Sequence, residues 1–430
     1  MFKSRNTFDI NRLLKGVNCT CGKRHTCDIE AVYIGAGATR HLKKLCKKYS
    51  RILLVCDENT FAAAGERVLR VLGEKIADRV IFDGSTILIP DETAVARVEE
   101  HLADCDLIIG IGSGVIQDLC KYVSHFNKVP YMVVATAPSM DGYASSGAAM
   151  ILKGMKETVA AGLPRAIIAD TDVLKNAPAE MIDAGYGDII GKYSSLCDWK
   201  LSAAVNGEYF CQWIYDLTMT AVKRVEACAA DLAERDEKAL AALTEALVVV
   251  GILMSFAGSS RPASGSEHHL SHFFEIVGIV KNEAYFPHGI DVVYSTVVTA
   301  KIREALLNKP FPDTRFRPER EAYVAKMDEV YGMVGKECVA LQDRIGNYAA
   351  DRLAVYREKE EEIRAILAEM PSAEAILGML RYTDLDFTDF VIHYGEQKLR
   401  TAVTYAKDLK DRYTVLWLYY DLFGGVDGVQ

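Results

Sequence analysis

The chain has 430 residues, half of them hydrophobic and a quarter charged, with a formal net charge of −9. This length exceeds one simple core and predicts roughly two or three domains of ordinary globular composition. The acidic balance argues against a general nucleic-acid binder, whose phosphate contacts need clustered Lys and Arg.

No run is read as reaching the ~20 apolar residues of a membrane span. Met1-Phe2-Lys3-Ser4-Arg5-Asn6 lacks the apolar stretch of a signal peptide. A cytoplasmic location, with no membrane or nucleic-acid partner, is therefore expected.

Residues 1–30 read as a polar N-terminal arm with a hairpin around Gly22. The 11 Cys are scattered, apart from Cys19-Thr20-Cys21-Gly22-Lys23-Arg24-His25-Thr26-Cys27. In a reducing compartment most such thiols are small buried hydrophobes. A C-x-C pair followed by His25 and Cys27 is not a standard ligand spacing. The cluster therefore reads first as a polar hairpin carrying inert thiols, with a small zinc site as the alternative.

Ala31-Val32-Tyr33-Ile34 predicts a short strand, followed by a helix over about 39–48. Arg51 to Cys56 is a continuous apolar run typical of a buried parallel strand, with Asp57 at its C-terminal end. Helix is predicted over 60–72, strand over 79–82, helix over 92–103, strand from Leu107 into Gly110-Ile111-Gly112-Ser113-Gly114, and helix over 115–126. Strands follow at 131–136, 149–152 and 166–169, with a turn over 153–156. This alternation predicts a Rossmann-like α/β nucleotide-binding domain over 31–176, built on a parallel sheet. From 177 to 430 strand-like runs are scarce. Helical periodicity there, near 180–204, 208–230, 236–257, 265–278, 288–306, 318–332, 335–350, 351–369, 372–381 and 396–409, predicts an all-α domain.

The glycine turn lies between an apolar strand and a helix. Glycines allow close approach to a pyrophosphate, and the following helix offers free N–H groups and a positive dipole end. It is neither G-x-G-x-x-G nor a P-loop, so a plain tight turn is the alternative. Asp57 is placed to accept hydrogen bonds from a ribose diol and to disfavour a 2′-phosphate. Thr136, Ser139, Asp141 and Ser145 follow the next strand, at the end of the sheet where ligands bind. Turn chemistry alone also accounts for Pro, Ser, Asp and Gly there.

The helical half carries Arg261-Pro-Ala-Ser-Gly-Ser-Glu-His268-His269-Leu-Ser-His272, then Pro287-His288-Gly289. His268 and His272 share one helix face, and His269 points away. Neutral imidazoles can ligate a divalent metal if a carboxylate joins them. Asp188, amid Gly185-Tyr186-Gly187 and Ile189-Ile190-Gly191-Lys192, offers one, because a carboxylate among apolar residues needs a partner. The plainer alternatives are a helix cap at Asp188 and a polar helix start capped by Ser264 or Ser266.

Four segments together resemble sn-glycerol-1-phosphate dehydrogenase in its bacterial AraM-like branch. They are Gly112-Ser113-Gly114-Val115-Ile116-Gln117-Asp118, Thr136-Ala137-Pro138-Ser139-Met140-Asp141-Gly142, Tyr186 to Lys192, and Gly265 to His272 with Pro287-His288-Gly289. The family belongs with the dehydroquinate synthases and iron-containing alcohol dehydrogenases, and the likeness runs from about 30 to 300. Ser113 stands where the family commonly has Gly, and Gln117-Asp118 where it has Ile-Asp.

The resemblance implies a dehydroquinate synthase-like fold and Asp188, His268 and His288 as catalytic metal ligands, for zinc or nickel. It implies that His272, Asp141 and Asp188 meet the substrate. Gly114, Val115, Ile116, Gln117, Asp118, Thr136, Ala137, Pro138, Ser139 and Ser145 would hold NAD or NADP, with Asp57 on the adenosine ribose. The implied reaction is NAD(P)-dependent reduction of dihydroxyacetone phosphate to sn-glycerol 1-phosphate for glycerophospholipid synthesis, by a homodimer. Lys192 and Arg261 are candidates for the phosphate by position. The alternatives are a metal-dependent glycerol or polyol dehydrogenase of the same fold, and a non-catalytic nucleotide- and metal-binding regulator.

Overall fold

A computed structural model describes residues 8–153 and 155–425. The chain divides into two compact units, residues 1–189 with 223–259, and residues 190–222 with 260–430.

In the first unit the arm forms the expected hairpin, β1 (Val17–Asn18) against β2 (Arg24–His25). Gly22 makes the reversal with φ +85°, which only glycine adopts at low cost. A six-stranded parallel sheet follows: β3 (Ala31–Ile34), β4 (Ile52–Asp57), β5 (Ile76–Phe82), β6 (Leu107–Gly112), β7 (Tyr131–Ala135) and β10 (Ala166–Ala169). Its order is β3-β10-β7-β6-β4-β5. The chain leaves β4 toward one edge and β6 toward the other, so the glycine turn after β6 and Asp57 after β4 flank a topological switch point.

Both faces of the sheet are covered, which explains the uninterrupted apolar runs. Ile52, Leu54, Ile109, Val134 and Ile168 pack on one side with Leu42 and Val68 from the short helical turns before and after β4. On the other side the helix Gly114–Asn127 lies close over β6. A Cβ at Gly110 would sit 2.9 Å from Cys120 Sγ, and one at Gly112 would sit 2.7 Å from Ile116 Cβ.

Three sequence expectations change here. The strand near 149–152 is one arm of an antiparallel hairpin, β8 (Gly147–Leu152) with β9 (Met155–Ala160). Of the expected turn over 153–156, Gly154 lies outside the described residues, and Met155 and Lys156 belong to β9. The expected regular helices over 39–48 and 60–72 are broken by 3-10 and π turns. Finally, the helix Glu237–Ala257 is long and apolar enough for a membrane span. Glu237, Lys238 and Glu245 interrupt its first turns, whereas the stretch from Ala246 is almost wholly apolar. Of its most apolar window, 78% is buried inside the protein, as in a core helix that is hydrophobic all round.

The second unit is helical. The helices Ser266–Lys281 and His288–Asn308 pack together, and the C-terminal half of the helix Ala179–Asn206 lies against them. Gly191 permits this approach, since a Cβ there would meet Val292 Cγ1 at 2.5 Å. The helix expected over 396–409 begins earlier, at Phe387, and kinks at Gly395. A further helix, Val415–Phe423, buries Trp417, Leu418 and Leu422 in a tail that sequence patterning left unassigned.

Candidate active site

The helix Gly114–Asn127 starts at Ser113, which makes no side-chain cap. Its first N–H groups therefore point past the end of the sheet, as in anion sites at helix N-termini. Ile116 is turned inward over Gly112 and Val115 is half-buried. Gln117 Nε2 donates to Gly142 O at 2.8 Å. Asp118 pairs with the buried Lys121 at 2.9 Å. With these side chains engaged, segment 114–118 can serve a cofactor chiefly through its backbone.

The segment 136–145 is stitched to that turn. Thr136 N–H donates to Gly112 O, Ser113 Oγ bonds Ser139 Oγ, and Tyr143 OH donates to Ala137 O at 2.7 Å. Burial pushes the Tyr143 phenol up to about 12, so it stays a donor. Ser145 Oγ donates to Gly142 O at 3.2 Å. Asp57 lies at the end of β4, and its Oδ1 accepts Thr60 N–H at 2.8 Å in a capping box.

Two helical glycines clamp the same loop. A Cβ at Gly185 would lie 1.7 Å from Pro138 O, and one at Gly251 would lie 2.8 Å from Asp141 O. Asp141 N–H donates to Asp188 Oδ2 at 2.8 Å. Asp188 is fully buried in the middle of the helix Ala179–Asn206. It is therefore not the helix cap that its neighbour Gly187 suggested.

The imidazoles come from two packed helices. Ring centroids of His268, His272 and His288 lie 5.1–6.1 Å apart. His268 Nδ1 is 2.7 Å from Glu267 Oε1 and His288 Nδ1 is 3.4 Å from Ser271 Oγ, which fixes how the rings face. Burial holds His268 well below the usual imidazole range, helped by the positive charge of Lys192, so it is neutral and a competent ligand. One oxygen of Glu275 and one nitrogen each of His272 and His288 lie within 4.8 Å of one another.

Neither Ser264 nor Ser266 caps the His-bearing helix. Its start is held by acids instead: Gly265 N–H donates to Glu267 Oε1 at 2.9 Å, and Ser266 N–H to Asp198 Oδ2 at 2.6 Å. His269 is buried, away from the other rings. Arg261 is committed to Glu208 and to Tyr413 O. The cations whose charge reaches His268 are Lys192 and Lys410.

Sequence reasoning missed Glu267, Glu275, Lys121 and Lys410. Glu267 was adjacent to a singled-out histidine, and a fully buried acid beside a ligand is a recurrent orienting partner. Lys410 lay in the unassigned tail and carried no signal.

The family model described as iron-containing alcohol dehydrogenase matches residues 33–178. Over 339 residues the chain is 33% identical to the glycerol-1-phosphate dehydrogenase [NAD(P)+] of Geobacillus thermodenitrificans, spanning 78% of this chain and 77% of that one. It is 30% identical over 417 residues to the protein of the same name from Geobacillus stearothermophilus, spanning 94% of this chain and 96% of that one. An alcohol dehydrogenase from Oenococcus oeni shares the fold, with TM-score 0.60 and 13% identity over 90% of this chain and 94% of that one.

Proposed function

This chain belongs to the glycerol-1-phosphate dehydrogenase family, and we propose that it reduces dihydroxyacetone phosphate reversibly to sn-glycerol 1-phosphate with NADH or NADPH. The product would feed glycerophospholipid synthesis in the cytoplasm. The observation that carries the reading is the cluster of His268, His272 and His288 on two packed helices, together with the buried Asp188 that accepts the Asp141 N–H.

We assign cofactor binding to residues 31–176 and metal and substrate binding to 177–430. Asp188, His268 and His288 would supply one carboxylate and two imidazoles, which suit zinc or nickel and leave positions open for substrate. The bond from His268 Nδ1 to Glu267 leaves Nε2 as the coordinating atom. A divalent cation held there would supply Lewis acidity. The nicotinamide supplies the hydride.

The remaining work falls to the chain. The backbone at Gly114–Asp118 and Thr136–Ser139 receives the cofactor, with Ser145 beside it and Asp57 on the adenosine ribose. Asp141 binds the substrate hydroxyl and is held in place by Asp188. His272 carries the proton on a ring nitrogen to the developing alcohol oxygen. Lys192 and Lys410 provide the positive field that a phosphate ester requires.

Elemental analysis of the purified protein, with an NADH assay on dihydroxyacetone phosphate before and after chelation, tests this reading. Activity should disappear with the metal and return on reloading. Activity indifferent to metal removal, or equal turnover of unphosphorylated dihydroxyacetone, defeats it. The homodimer inferred for the family is checked by light scattering on the same sample.

A further inference from the structure

His272 and Glu275 lie three residues apart on the helix Ser266–Lys281, so they share a face within one turn. A carboxylate and a histidine at this spacing are a recurrent ligand pair in helical metal bundles. His288 opens the helix His288–Asn308, which packs against the first. Glu275 offers one oxygen, and His272 and His288 one nitrogen each, all within 4.8 Å of one another. The three residues are half-buried, so an ion reaches them from solvent.

The His288 end is braced by the helix Phe387–Tyr405. Tyr394 OH donates to Asp291, 3.0 Å from both carboxylate oxygens, and accepts Phe286 N–H at 3.2 Å. Its ring stacks on Phe274, the residue before Glu275, with centroids 4.0 Å apart. Phe286 and Asp291 flank His288 in the chain, so these contacts fix where the imidazole stands. Ser271 Oγ donates to His288 O at 3.5 Å and lies 3.4 Å from His288 Nδ1. A hydroxyl whose proton is engaged accepts, so Nδ1 carries the ring proton and Nε2 presents its lone pair.

The surroundings are negative. Burial and the charges of Glu275 and Asp291 raise the Tyr285 phenol above its ordinary value. Zinc bonds of about 2.0–2.2 Å to nitrogen and carboxylate oxygen put tetrahedral neighbours about 3.4 Å apart. Side-chain movements of about 1 Å close the set to that spacing. Two imidazoles and one glutamate are an established zinc donor set, with the fourth position left to water.

We propose that His272, Glu275 and His288 form a second site for zinc or a like divalent cation, wholly within the helical unit, and that filling it in excess cation inhibits the enzyme. The site stands on these three residues alone, while its inhibitory effect rests on the roles proposed above for His272 and His288. Nε2 of His288 serves one cation at a time, so an ion held here withdraws it from the ligand set proposed for catalysis. The same ion engages His272 and ends its proton transfer.

Equilibrium dialysis of the full-length protein against excess Zn²⁺ counts the site. His268→Ala removes the competing claim on His288, and Glu275→Gln added to it removes a ligand of this site. Zinc bound elsewhere is common to both proteins, so their contents should differ by one equivalent. Equal contents overturn the proposal. A second comparison alters no histidine and does not depend on His268→Ala folding. Excess Zn²⁺ should slow NADH oxidation by wild type about 100-fold, the worth of a lost general acid, while Glu275→Gln keeps its own zinc-limited rate. An equal fractional loss in both proteins overturns the inhibition. A one-equivalent difference in a protein without dehydrogenase activity upholds the site and refutes the reaction proposed above.

Discussion

Replacing Gly185 by Ala sets two effects of opposite sign against each other. Gly185 lies inside the helix Ala179–Asn206. Helix propensity alone favours Ala there by about 1 kcal/mol. The new Cβ, however, would lie 1.7 Å from Pro138 O and 2.8 Å from Pro138 C. Reaching an ordinary contact requires a shift of about 1.7 Å or more, and the obstacle is backbone that cannot rotate aside. Overpacking of this kind costs about 3 kcal/mol at the upper end of its usual range, so a net loss of about 2 kcal/mol is expected.

The shift also reaches the chemistry. Pro138 belongs to the loop that presents Asp141 N–H to Asp188 at 2.8 Å. A displacement of about 1 Å in a positioned group costs on the order of 100-fold in rate. Urea unfolding and NADH kinetics with dihydroxyacetone phosphate read the two effects separately. Gly378→Ala is the control: nothing lies within 4 Å of its added Cβ on the exposed face of the helix Ala373–Leu380, so it should stabilise by about 0.5–1 kcal/mol. A Gly185→Ala protein as stable as wild type, with unchanged kcat/KM, would refute the reasoning.

Three further outcomes follow from individual contacts. His272→Ala should lower kcat by about 100-fold or more while the metal content holds, and full turnover would end the proton-transfer role given to His272. Asp57→Asn keeps the Thr60 cap but removes the charge facing a 2′-phosphate, so NADPH use relative to NADH should rise about 10-fold; an unmoved ratio removes Asp57 from the ribose site. Asp198→Ala strands Ser266 N–H and Val415 N–H, now bonded at 2.6 and 2.7 Å. The loss should be about 3 kcal/mol, with Asp198→Asn intermediate; equal urea midpoints for Ala and Asn would show that the two bonds are not the source.

The parallel sheet was legible because its strands are buried on both faces and so read as unbroken apolar runs, Ile52 to Cys56 and Leu107 to Ile111 above all. The helical half was legible through periodicity, but its ends were not. The helix from Phe387 bends at Gly395, which resembled a start, and Val415–Phe423 is buried on nearly every side, so it presents no exposed polar face. Segment 155–160, Met-Lys-Glu-Thr-Val-Ala, is half polar and becomes a strand only by pairing with β8.

Taken alone, the sequence determined the residue types available for chemistry and their order along the chain: the glycine turn, Asp188, and the histidines at 268, 272 and 288. Local spacing carries that information, because a helix turn or a strand end fixes neighbours within a few residues. Tertiary structure alone decided the long-range partners. Gly185 and Gly251 clamp the Asp141 loop, Asp198 rather than a serine holds the start of the His-bearing helix, and Lys410 sends its charge to His268. Such contacts depend on how helices and loops close on one another, and no periodicity in a single segment records them.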